Sequence, residues 1–202
     1  MFIKAMNWLN ACVLLIELNL LWLIGNIVGF FVVGFLPSTL AVMKILNKKD
    51  LFIGYYSYSD IFKQFWLNYL STIRVFKWRI LVCPIILAIL YVELLMIQQS
   101  DLMRALFQWP ILLLMSYVIL VMLNLILAVG ASKEGWRKKA LFALASPLLL
   151  PKESIVSLLM ILSFSILSLA YHWVFFVAIS FFLYSASKCI LAGYDKKGLL
   201  KV

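Results

Sequence analysis

Residues 109–131 contain no charged side chain. As an α-helix rising 1.5 Å per residue this stretch is about 35 Å long. That exceeds the roughly 30 Å of hydrocarbon in a bilayer, so the stretch reads as a membrane span. Composition extends the constraint to the whole chain. Hydrophobic residues make up 66% of its 202 positions and charged residues 13%, with a mean hydropathy of +1.08. Soluble domains average about 45–50% and about 25% on the same two counts. A folded sphere of this size would have to turn much of that apolar surface to water, so lipid is the solvent.

Four other stretches have the length and apolar content of spans: 9–36, 80–97, 154–171 and 173–192. The first carries one charge, Glu17, and is about twice as long as the apolar core of a secretory signal, which makes it a permanent span. Gly34 and Pro37 are expected to end it, with Ser38 or Thr39 capping a short continuation. The second holds Pro84 and Glu93, and a polar link over 98–108 leads to the third. Residues 154–192 are too long for one straight helix and divide at Tyr171-His172-Trp173. Between spans, 61–76 repeats apolar residues at three- and four-residue steps (Phe62, Phe65, Trp66, Tyr69, Leu70, Ile73), with Ser59 or Asp60 as N-cap. Together with 136–150 it reads as a short helix in the interface. The fold expected is all-α: one polytopic transmembrane helical bundle over 1–202, with about five spans plus short interfacial helices.

The net charge of +10 would suggest nucleic acid in a soluble protein. Here the basic residues sit in loops, where they set orientation and attract anionic lipid, so nucleic acid is excluded as a partner. With five spans, sixteen of the eighteen Lys and Arg fall on one side and only Lys4 and Arg104 on the other. The positive-inside rule then predicts an outside N-terminus and a cytoplasmic C-terminus.

Two sets of residues are candidates for function. Asn19, Trp22, Asn26 and Gly29 recur at steps of three and four in the first span, and Gly25 and Gly29 form a G-x-x-x-G pair. Small residues at that spacing admit a close helix neighbour, in this chain or in a partner. Ser154, Ser157, Ser165 and Ser168 share one face of the fourth span and predict a second packing face. Glu17 and Glu93 are intramembrane carboxylates, which serve as proton or cation sites or are held by polar neighbours. Cys12, Cys83 and Cys189 lack metal-ligand or redox spacing and read as small core residues. There is no H-E-x-x-H, C-x-x-C, P-loop or Gly-rich dinucleotide turn, and the single His172 has no evident nucleophile partner. No catalytic residue, cofactor or metal is implied.

Asn19-Leu20-Leu21-Trp22, followed by Gly34-Phe35-Leu36-Pro37-Ser38-Thr39-Leu40-Ala41, resembles the opening of the YesL-like family of bacterial membrane proteins of unknown function. Phe62-Lys63-Gln64-Phe65-Trp66-Leu67-Asn68-Tyr69 and Lys138-Lys139-Ala140 continue the resemblance. The turn Leu36-Pro37-Ser38 departs from it, since members are more Thr- and Gly-rich there. The resemblance implies a multi-pass protein of the bacterial plasma membrane, in a family often encoded beside carbohydrate ABC importers, and it carries over no active residues. The expected function is therefore a non-enzymatic accessory or interaction protein with importer permease subunits as partners. The alternative is a small secondary transporter or channel using Glu17 and Glu93.

Overall fold

A computed structural model describes residues 2–48, 57–131, 135–171 and 174–196. Among the described residues eight α-helices follow one another: α1 Phe2–Val28, α2 Phe35–Leu46, α3 Tyr58–Phe76, α4 Val82–Ile97, α5 Asp101–Ala131, α6 Trp136–Leu149, α7 Pro151–Ala170 and α8 Phe175–Lys196. A 3-10 turn, Lys77–Leu81, joins α3 to α4. The chain is thus an all-α membrane bundle. Among the described residues four stretches are long and apolar enough to cross a bilayer: Leu9–Val28, Arg79–Ile97, Asp101–Gly130 and Pro151–Ala170. The apolar part of α8, Ala178–Ile190, is shorter. His172 and Trp173, on which the expected division of the last two spans rests, lie outside the described residues.

The first apolar run departs from its expected form. It is not one span over 9–36, because the chain reverses between Val28 and Phe35 and α2 runs back antiparallel along α1. Phe30 and Phe31 make the reversal with φ of 50° and 59°. For residues with a Cβ that conformation costs about 1–2 kcal/mol each. The turn offsets this by satisfying its own backbone, the requirement hydrocarbon imposes on any irregular segment. Every amide over 29–35 donates to a carbonyl, Phe31 N to Asn26 O at 2.7 Å and Gly34 N to Gly29 O at 3.0 Å among them. Close approach of the two arms needs glycine. A Cβ on Gly34 would lie 2.6 Å from Gly25 O and 2.9 Å from Asn26 Cα, and one on Gly29 would collide with the Gly34 backbone.

Twelve residues give α2 a length of about 18 Å, too short to span. Ten of the twelve are buried, so α2 is the centre of the bundle, with α1, α3, α5 and α8 packed around it. Pro37 sits in its first turn, where a missing N–H removes no helix bond. Neither Ser38 nor Thr39 caps it: Gly34 takes the N-cap position without a side-chain bond, and Thr39 Oγ1 donates back to Phe35 O at 2.6 Å. The amphipathic α3 buries Ile61, Phe65, Tyr69, Thr72 and Phe76 and leans on α2. Its expected stripe is therefore rotated, with Phe62 and Leu70 exposed. Ser57 stands at its N-cap position in place of Ser59 or Asp60.

Beyond α3, the 98–108 link is largely helical. α5 starts at Asp101 and passes through Pro110, with Arg104 Nε donating to Gln108 Oε1 one turn on. Pro147 lies in the last turn of α6 and Pro151 opens α7, so both prolines mark a boundary. Phe76 packs edge-on against Trp136 at 4.8 Å, and the Arg79 guanidinium lies 5.7 Å from the same ring. The two basic connections therefore meet at one end of the bundle. Cys12 is exposed and Cys83 and Cys189 are partly exposed, so none is a core residue.

The reversal is a stability element. Gly34→Ala should destabilise the protein in detergent by about 1–3 kcal/mol, because backbone on both arms must move. Gly135→Ser, directed into open space at the start of α6, should change stability by less than about 0.5 kcal/mol. Thermal unfolding of the two variants checks the contrast.

Candidate functional site

The polar residues of α1 converge on α2 and α3. Trp22 Nε1 donates to Thr39 Oγ1 at 3.0 Å, and Thr39 in turn donates to the Phe35 carbonyl. Asn26 Nδ2 donates to Trp22 O at 2.7 Å, and Tyr69 OH reaches from α3 to Gly25 O at 3.1 Å. Trp22 also stands edge-on to Phe35, with centroids 5.8 Å apart. In hydrocarbon such bonds join helices that apolar contact alone would not select. Asn19, Asn26 and Ser38 are all buried, and Asn26 Oδ1 and Ser38 Oγ have no hydrogen-bond partner among the described residues.

Gly25 makes this meeting possible. A Cβ there would sit 2.5 Å from Ser38 Oγ and 3.1 Å from Phe65 Cζ. The face Asn19–Trp22–Gly25–Asn26–Gly29 is consequently turned inward, onto α2 and α3 of the same chain, and is not available to a second protein.

Beside this hub lies a cavity of about 330 Å³. Trp22, Phe35 and Thr39 form one wall, and Ile119, Met122, Leu123 and Ile126 of α5 form the next. Ile161, Phe164, Ser165 and Ser168 of α7 face Ala178, Ile179, Phe182 and Leu183 of α8 across it. Phe164 packs on Phe181 and Phe182, with centroids 5.8 and 6.0 Å away.

The serine stripe is thus divided by depth. Ser154 and Ser157 are buried in packing, whereas Ser165 and Ser168 line the cavity. Ser157 Oγ and Ser165 Oγ donate to the carbonyls of Glu153 and Ile161 on their own helix.

The two carboxylates are not brought together. Glu17 is half-buried on α1, with Oε2 lacking a hydrogen-bond partner among the described residues, while Glu93 is exposed on α4. α1 packs on α2, α3 and α8, and α4 packs on α5 and the 3-10 turn. Among the described residues no three of His, Cys, Asp and Glu gather as a metal site.

Thr39, Tyr69, Phe35, Phe164 and Phe182 belong to the hub or the cavity and were not legible as such. Thr39 carried a local signal as a hydroxyl at a helix start, which pointed to a cap, and Tyr69 one as part of the apolar repeat over 61–76, which did not reveal its bond to Gly25.

The Trp22–Thr39 bond can be measured. Thr39→Val leaves a buried indole N–H without its acceptor, at a cost of about 1–3 kcal/mol. A cycle with Trp22→Phe should show a coupling near 1 kcal/mol in detergent unfolding. Additive costs would mean that the bond contributes nothing.

Residues 15–94 match the model of a family described as Protein of unknown function, DUF624, the family that includes YesL. The YesL-like resemblance therefore stands over that segment, which contains the reversal, the hub and α3. No curated protein matches the chain, and no solved structure does.

Proposed function

We propose that this chain, with its DUF624 segment over residues 15–94, is a non-enzymatic accessory protein of the bacterial plasma membrane that docks on another membrane protein. The observation carrying this reading is the state of α4. It rests on the bundle chiefly through α5 and the 3-10 turn, and Leu90 is its sole buried residue. Ile85, Ile89, Val92 and Leu95 are all exposed on it. By contrast, Glu17 and Glu93 lie on helices that do not pack on each other to any extent. A transporter built on that pair loses its geometric support. The YesL-like resemblance adds the partner: the permease subunits of a carbohydrate importer.

The reversal also changes the orientation that fits the basic residues best. A Cβ on Gly130, at the end of α5, would lie 3.0 Å from Met43 Cγ and 3.5 Å from Asn47 Nδ2, so α5 and α2 end together. Lys48 at that end donates to Gln64. Because α1 runs antiparallel to α2, its N-terminal end points to the same side. Both termini in the cytoplasm would then leave Arg104 as the only basic residue outside, a better sorting than the outside N-terminus expected from five spans.

Reporter fusions at the N-terminus and at Val202 should both give cytoplasmic signals; an extracellular signal at the N-terminus would restore the five-span orientation. Mild-detergent purification from the native host should recover permease subunits, and Ile85→Trp with Ile89→Trp should reduce that recovery without lowering thermal stability. Recovery of a lone, monodisperse chain would sink the docking reading.

A further inference from the structure

The cavity between α5, α7 and α8 does not contribute to the docking reading, and its chemistry is specific. We infer that it is a binding site for one alkyl chain of a lipid, entered sideways from the bilayer between α5 and α7. α7 rests mainly on α8 and touches α5 lightly, while its outward residues Leu159, Leu162 and Ile166 are exposed. The medium outside that gap is hydrocarbon. At about 330 Å³ the cavity is roughly twice the ~150 Å³ apolar cavity that admits benzene.

Its lining selects against polar cargo. Of the three hydroxyls in the lining, Thr39 Oγ1 is bonded to both Trp22 and the Phe35 carbonyl and Ser165 Oγ to the Ile161 carbonyl, and the third, on Ser168, stands among apolar side chains. A sugar would bring several hydroxyls into this space, each costing about 1–3 kcal/mol if left unsatisfied. A methylene chain brings none and packs against the rings of Trp22, Phe35, Phe164 and Phe182. The occupant would fill the wedge between α7 and the rest of the bundle, so chain binding sets how firmly α7 is seated. This inference is independent of the importer reading.

The test uses the full chain reconstituted in phosphatidylcholine vesicles containing a trace of phosphatidylcholine with a mid-chain diazirine, with adducts mapped by mass spectrometry. Adducts are expected on Phe164 and Phe182, in addition to Ile85 and Ile89 of α4, which face lipid when no partner protein is present. Ala178→Leu, which adds volume inside the cavity, should lower the cavity adducts about five-fold or more, in line with the cost of overpacking, and leave those on α4 unchanged. Ser168→Phe, at a partly exposed wall position, makes the same measurement if Ala178→Leu does not fold. A parallel arm with a diazirine fatty acid identifies the source: cavity labelling by the phospholipid alone indicates a bilayer acyl chain, and labelling by both admits free fatty acid. Cavity adducts that are absent, or that persist unchanged in a folded variant while α4 is labelled normally, would overturn the inference.

Discussion

In hydrocarbon a backbone amide without a carbonyl partner costs several kcal/mol, and the architecture of this protein depends on how that constraint is met at one place. The chain reverses over 29–34 with two phenylalanines in a left-handed conformation, yet each amide through the turn finds an acceptor in the turn or in the last turn of α1. Closure of those bonds allows α2 to return into the bundle. Gly29 and Gly34 supply the close approach, and Phe30 and Phe31, 87% and 62% exposed, cover the tip with rings.

With α2 at the centre, other features acquire a reason. A helix too short to span offers no lipid-facing surface of its own and is enclosed instead by α1, α3, α5 and α8. The Trp22–Thr39 bond and the Tyr69–Gly25 bond hold α1 and α3 to this enclosed segment. Dispersion alone does not choose a register between apolar helices as sharply as a directional bond does, because lipid tails compete on equal terms for apolar contact. The segment matched by the family model, residues 15–94, contributes α2, α3 and most of α1 to this assembly, while α5 and α8 complete the core from outside it.

The outer spans follow a different logic. α4 and α7 are each buried over only 11% of their apolar windows and are attached chiefly through one neighbour, α5 and α8 respectively. Their remaining faces meet lipid or another protein. The cavity is lined by α7 as well as by α5 and α8, so a loosely seated helix and an apolar space occur together. Helices attached through one face move at lower cost than those bonded at several points, as expected for the elements of a bundle that respond to surroundings.

The all-α membrane class was legible because hydropathy over a bilayer's thickness is a local property: 109–131 declares a span without reference to any neighbour. The amphipathic helix over 61–76 and the presence of apolar helices after it were legible for the same reason. The reversal was only half legible. Gly34 and Pro37 signalled an interruption, but the direction of the chain after it depends on backbone bonds closed over 29–35, and residues with side chains took the left-handed positions. Gly25, Asn26 and Trp22 were recognisable as a packing face, whereas the element they pack on was not, since a helix face looks the same whether its neighbour is α2 of the same chain or another subunit. The cavity was invisible beforehand. It is a volume left between five helices, and its walls come from residues as far apart as Trp22 and Leu183. Periodicity along the chain decides which residues share a face; only the packing of those helices decides which faces meet and which space stays open.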